Sequence, residues 1–344
     1  MTTTSRRAFS GAVPTDCWYA LAMSVDVDRD LLGVRALGLP VVLYRTEDGR
    51  AVALEDRCAH RAFPLSAGTL VGDDVQCGLC GFVYDGDGQC VSVPTQPRVP
   101  FGAKVASYPV QERDGLVWVW LGEPGRARLH RVPELPWLDD ESWAGVGGET
   151  EVDAGFLLLH ENFADVTQVP FVAPDIAPSV LGAAPPPLDV VLSETTVTLR
   201  REFPPAPLPA WQAEMLGAGS TEFSTLHEGY FLSPAAWVDR WDVTGPDGTV
   251  ARLRFSHLVT PLDEGACRLH WQVDRDFAVG SAVADERMLD MFAGYYDRVT
   301  AAMEIAQAVL DVDGPGPEVN VAADVAALKV REIVLAMLTE EGAL

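Results

Sequence analysis

Apolar and polar positions along the chain change period twice. Between residues 14 and 122 the apolar runs are short and bounded by turn residues. "PVVLYRT" and "AVALEDR" are joined by "EDGR", and Asp48-Gly49 at the tip predicts a hairpin. "FVYDGDGQCVSVP" predicts a second strand pair around Asp87-Gly88, and "LVWVWLG" closes an all-β segment. Residues 123–148 are rich in Pro, Gly and charge and predict a connector. From residue 149 onward, "FLLLHENFADVTQ" reads as a strand passing into a short helix. That helix is expected to stop near Gln168, because Pro170 disfavours helical geometry at Val169. A Pro- and Ala-rich loop over 173–188 is followed by strand-like runs at 189–202, 225–243, 249–259 and 267–275. Met288, Phe292, Tyr295, Val299, Met303, Ala306 and Leu310 then recur at three- and four-residue steps, which predicts one long helix over 283–311 with a single apolar stripe. A last amphipathic helix is expected over 321–340. The pattern is α+β, with an all-β domain at 14–122, a connector at 123–148, and an antiparallel sheet with a long helix at 149–344.

Composition narrows the function. With 344 residues and 48% hydrophobic content, the chain can fill two cores. A net charge of -25, spread without long like-charge blocks, opposes phosphate backbones and anionic lipid, so neither nucleic acid nor a membrane surface is an expected partner. No stretch reaches 18 uninterrupted apolar residues, so no membrane span is expected. The opening "TTSRRAFSG" mimics a twin-arginine export signal, but the apolar stretch such a signal needs does not follow. A cytoplasmic protein is expected. Four of the six cysteines (Cys58, Cys77, Cys80 and Cys90) fall within 33 positions, a spacing that suits metal binding better than a secreted disulfide framework. Cys17 and Cys267 stand apart and are expected to be small buried residues.

Cys58-x-His60 and Cys77-x-x-Cys80 are separated by sixteen residues, and each pair can be presented by one loop. Three thiolates and an imidazole suit a [2Fe-2S] cluster and also suit a structural zinc ion.

The surrounding residues resemble the Rieske non-haem iron oxygenases, most of all the O-demethylase branch that includes vanillate and dicamba demethylases. "CAHRAFPLS", "YDGDGQCVSVP", "WYALA", "YPVQERDGLVWVWLG" and "ENFADVTQVPFV" match that family in type and order from about Pro14 to the last helix. The resemblance implies a Rieske [2Fe-2S] domain, a helix-grip domain, a head-to-tail homotrimer, and electrons supplied by a reductase or ferredoxin. Cys90 lies where many relatives carry a non-ligand Cys. Cys80 stands where the family has its second cluster His. All-Cys clusters sit near about -400 mV against about -150 to +300 mV with two His, so this exchange should lower the potential.

The family holds a mononuclear iron with two His and a carboxylate. By resemblance, those positions are here Gln168, Ala173 and Val299. Asp297, two residues from Val299, is 200° away around a helix and is expected to be a solvated surface acid. Asp165 matches the family's bridging Asp, which accepts a hydrogen bond from the cluster His of a neighbouring subunit; Cys80 has no N–H to give. No mononuclear iron is expected. Asn162, Asp165 and Gln168, at i, i+3 and i+6, are expected on successive turns of one helix, and with His160 they form the candidate catalytic set in the vacated pocket. His227, His257 and His270 fall in expected strands where family pockets open. The favoured function is a redox-neutral or single-electron enzyme acting on a small aromatic or polycyclic molecule. A non-catalytic partner in a mixed trimer with an intact oxygenase is the alternative, followed by an oxygenase with unusual iron ligation.

Overall fold

A computed structural model describes residues 13–181 and 184–343. The twin-arginine-like stretch lies outside the described residues. The chain forms two compact units, one from Thr15–Glu134 and one from Leu135 onward that also takes in Pro14.

The first unit is built from small antiparallel sheets. β1 (Trp18–Met23), β10 (Val110–Arg113) and β11 (Leu116–Trp120) form one, in the order β1-β11-β10. β2 (Leu32–Ala36), β3 (Leu39–Arg45), β4 (Ala51–Glu55) and β9 (Ser107–Tyr108) form a second. β5 (Thr69–Val71), β6 (Asp74–Gln76), β7 (Val83–Tyr84) and β8 (Cys90–Ser92) form a third. Every residue of β11 is buried, as its unbroken apolar run requires. The expected hairpin at Asp48-Gly49 forms between β3 and β4, and Gly49 takes a φ of 89° that a side chain would strain.

The second unit is a seven-stranded antiparallel sheet carrying helices. Its strands are β12 (Ala144–Val152), β13 (Asp189–Leu192), β14 (Val197–Pro207), β15 (Glu222–Ser233), β16 (Ala236–Thr244), β17 (Val250–Pro261) and β18 (Cys267–Arg275), in the order β12-β18-β17-β16-β15-β14-β13. The helices are α1 (Phe156–Phe163), α2 (Val169–Val172), α3 (Ala210–Met215), α4 (Ala282–Asp313) and α5 (Val325–Glu340). Ser281 caps α4 by accepting from Ala284 N–H. The stripe of α4 packs Met288, Phe292, Tyr295 and Val299 into the same core as Leu199, Phe231, Trp237, Trp271 and Val273 of the sheet.

Five expectations change. "FLLLHENF" is helical throughout as α1, with no strand. The 189–202 run is two strands, β13 and β14, and the 225–243 run is a hairpin, because Pro234 falls between β15 and β16. Pro170 does not end a helix: it sits in the first turn of α2, where its missing N–H has no intrahelical partner to lose. Asn162, Asp165 and Gln168 do not share one helix. α1 stops at Phe163, Asp165 is extended (φ -127°, ψ 100°), and a separate 3-10 turn covers Val166–Gln168.

Candidate cluster site and C-terminal pocket

Two turns bring the sulfur atoms together. Cys58 N–H donates to Phe63 O at 2.9 Å, and Cys77 N–H donates to Phe82 O at 2.8 Å. Glycine makes the "CGLCGF" turn possible. A Cβ at Gly78 would lie 2.6 Å from Ala67 O, and Gly81 has a φ of 71°. The thiols of Cys58, Cys77 and Cys80 lie within 4.8 Å of one another, the sole such group of His, Cys or acidic side chains among the described residues. Cys58 Sγ is 3.5 Å from Cys80 Sγ. His60 stacks on Phe82 at 4.8 Å between ring centres, but neither of its ring nitrogens reaches within 4.8 Å of all three sulfurs. Four ligands of one tetrahedral zinc would sit about 3.6 Å apart. The three thiols are close enough to share one metal ion, and His60 stands outside their group. Cys90 donates instead to Ser92 O at 3.4 Å and lies outside the thiol group.

Polar partners tune this site. The Tyr84 hydroxyl is 3.2 Å from Cys58 Sγ and accepts from Ala59 N–H at 3.0 Å. Burial acts to raise the Cys58 thiol, but Tyr84, the amides of His60 and Arg61, and Cys80 outweigh it and bring the thiol below its usual range. Burial pushes Cys80 up to about 12.

In the second unit, strand register assembles a polar chain from distant residues. His227 pairs with Trp241, and His257 pairs with Trp237, so Asp239 lies diagonally between the two imidazoles on the helix-facing side of the sheet. His227 Nε2 is 2.8 Å from Asp239 Oδ1, Trp237 Nε1–H donates to Asp239 Oδ2 at 2.8 Å, and His257 Nδ1 lies 3.8 Å from Oδ2. The Tyr296 hydroxyl meets His257 Nε2 at 2.8 Å. Burial depresses His257 to about 4, so its ring is neutral at pH 7. Asp239 and His257 open onto a pocket enclosing about 840 Å³ of space, part of it solvent. Trp211, Trp241, Phe255, Phe292 and Tyr295 wall it.

Comparison with known proteins places this pair of units. Residues 17–109 match the Rieske [2Fe-2S] domain, and residues 152–340 match the vanillate O-demethylase oxygenase C-terminal domain. The chain belongs to the Rieske oxygenase family. It is 29% identical over 332 residues to the oxygenase component of dicamba O-demethylase from Stenotrophomonas maltophilia, covering 92% of this chain and 96% of that one. It is 28% identical over 333 residues to a toluene-4-sulfonate monooxygenase system iron-sulfur subunit from Comamonas testosteroni, covering 90% and 92%. The crystal structure of dicamba monooxygenase bound to 3,6-dichlorosalicylic acid superposes with a TM-score of 0.86 at 26% identity, covering 97% of this chain and 100% of that one. No helix among the described residues is long and apolar enough to cross a membrane.

Set beside the family pattern, the remaining candidate residues separate. Ala173 and Val299 are fully buried and belong to the apolar core, whereas Asp297 is exposed, as expected. Gln168 hydrogen-bonds the Tyr295 hydroxyl, and its own Oε1 is buried without a partner. Asp165 caps the 3-10 turn: its carboxylate accepts from Thr167 N–H at 2.9 Å and from the Thr167 hydroxyl at 2.7 and 2.8 Å. Asp165 also opposes the effect of burial on Arg201, whose guanidinium is brought below its usual range. His160 is buried against Phe156 and Phe231 with Nε2 2.8 Å from Pro234 O, the environment of a core histidine. None of His160, Asn162, Asp165 and Gln168 lines the pocket. His270 alternates with the buried face of β18 and points to the opposite side of the sheet, which corrects its placement near a pocket. Sequence reasoning missed Asp239. Its signal was an acid at the middle of "WVDRW", in phase with two inward tryptophans.

Proposed function

We propose that this chain is a Rieske [2Fe-2S] protein whose second domain has given up the mononuclear iron and uses its pocket for a small aromatic or polycyclic molecule. The observation that carries the reading is the burial of Ala173 and Val299 in the apolar core, at the positions where the family resemblance places a His and a carboxylate. Gln168 offers one amide oxygen in place of the other His. One oxygen donor without imidazole or carboxylate does not fit a facial-triad site. His227, Asp239 and His257 supply the right residue types, but no choice of one ligand atom from each brings all three within 4.8 Å of one another.

Cys58, His60, Cys77 and Cys80 would hold the cluster, which supplies single electrons when bound. The pocket residues would bind the ligand flat between Trp241, Phe255 and Phe292, exclude water, and present the Asp239 carboxylate to a donor on it. Asn162, Asp165, Gln168 and His160 would act from behind this wall: Gln168 by fixing Tyr295, Asp165 by shaping the turn, His160 by tying α1 to the β15–β16 hairpin, and Asn162 as part of α1.

The relatives are named as one component or subunit, which supports a separate reductase or ferredoxin as electron source; assembly as a homotrimer rests on the family resemblance. Leu79, between two cluster cysteines, is 60% exposed and Phe171, on α2, is 87% exposed; a subunit contact would cover such residues. Electron paramagnetic resonance of the anaerobic protein incubated with iron(II) and nitric oxide tests the iron proposal. The reading expects no mononuclear iron–nitrosyl signal, and a stoichiometric one would overturn it. Light scattering tests the assembly, with three chains expected.

A further inference from the structure

We propose that the pocket selects an amine: its ligand is an aromatic or polycyclic molecule carrying an ammonium group held by Asp239. The inference deepens the reading above and rests on this pocket being the ligand site. Among the described residues, Asp239 is the only acidic one lining the pocket, and no Lys or Arg lines it. Asp239 is 4% exposed, and its carboxylate is fixed by two N–H groups, from His227 at 2.8 Å and Trp237 at 2.8 Å. Neither donor needs a charge to make its bond. Trp237 carries no charge. His227 Nδ1 is buried without a partner, so the tautomer protonated at Nε2 alone leaves no N–H unpaired. His257, the other polar ring at this end, is neutral as well. The nearest buried cation by register, Arg201, pairs across the strands with His227, is absent from the lining, and responds to Asp165.

The two N–H bonds orient Asp239, and no Lys or Arg among the described lining residues offers it a counter-charge. A buried anion lacking a counter-charge is costly, and a ligand cation would supply the missing partner. The walls suit the same guest, because five aromatic side chains line the pocket and their faces attract an ammonium. An anionic guest meets the opposite conditions. The names of two relatives refer to anions, toluene-4-sulfonate and 3,6-dichlorosalicylic acid; this pocket offers such groups no cation.

Three matched probes test the inference by isothermal titration calorimetry on the full-length, cluster-loaded protein at pH 7: biphenyl-4-methylamine, biphenyl-4-methanol and biphenyl-4-carboxylate. The amine should bind at least tenfold tighter than the carboxylate, with the alcohol between them. Asp239→Asn should lose tenfold or more of the amine affinity and keep the alcohol within about threefold. The comparison on the native chain stands whether or not that variant folds. Carboxylate binding as tight as amine binding would overturn the charge assignment alone, as would an Asp239→Asn protein that keeps the amine preference. Binding of none of the three would overturn the pocket reading itself, and this inference with it.

Discussion

Replacing Tyr84 with Phe removes one oxygen and leaves the ring in place, so it isolates a single hydrogen bond at the cluster site. That hydroxyl lies 3.2 Å from Cys58 Sγ on a fully buried side chain. A hydrogen bond to a charged group contributes about 1.5–3 kcal/mol. It acts in both oxidation states, and only its strengthening on the more negative reduced cluster moves the potential. If that difference is about 1 kcal/mol, the one-electron potential falls by roughly 40 mV, since about 1.4 kcal/mol corresponds to 59 mV. The substitution also strips Ala59 N–H of its acceptor, so stability should fall by about 1 kcal/mol. Spectroelectrochemical titration of native and Tyr84→Phe proteins reads the first effect and urea denaturation the second. An unchanged or higher potential would refute the assignment of Cys58 as a cluster ligand hydrogen-bonded by Tyr84.

Cys80→His replaces a thiolate by neutral imidazole and should raise the potential by on the order of 100 mV; no rise would mean that Cys80 is not a ligand. Val299→Asp places a carboxylate at a fully buried core position and should cost roughly 3–5 kcal/mol in a denaturant titration, with no recovery on adding iron(II); full stability would show that the site is not apolar. Acidification should destabilise the fold between about pH 6.5 and 4. Burial holds His160 and His257 at about 4, whereas unfolded His titrates near about 6.5, so in that window the unfolded chain binds two more protons. Asp274, raised to about 7 by burial, keeps its proton in the folded state over the same window and offsets one, so these three groups together contribute about 1.4 kcal/mol per pH unit. Urea midpoints from pH 7 to 4.5 should fall, and more steeply in Asp274→Asn; a flat profile would contradict neutral burial of the two imidazoles.

The cluster loops were readable in the sequence because their ligands are close along the chain, and local turns alone bring each pair together. The α4 stripe was readable for the same reason: helical periodicity is a local property, and it correctly separated Val299 from Asp297. Boundaries were less readable. The break at Asp165 comes from a side-chain cap to Thr167, and the hairpin at Pro234 interrupts what looked like one apolar run. The pocket chemistry was hidden for a different reason. His227, Asp239 and His257 meet only through the register of three neighbouring strands, so the histidines drew notice while the carboxylate that organises them did not. His270 shows the cost of placing a strand residue without its face, since one step in register moves a side chain to the other side of the sheet.

The central claim is that iron in this protein belongs to the cluster alone. Iron and acid-labile sulfide, measured per chain on protein purified and reconstituted without oxygen, test it most directly. About two irons and two sulfides per chain are expected, with no further iron retained after desalting from excess iron(II). A third iron per chain, lost on substituting Gln168 or Asp165, would contradict it and restore an oxygenase site.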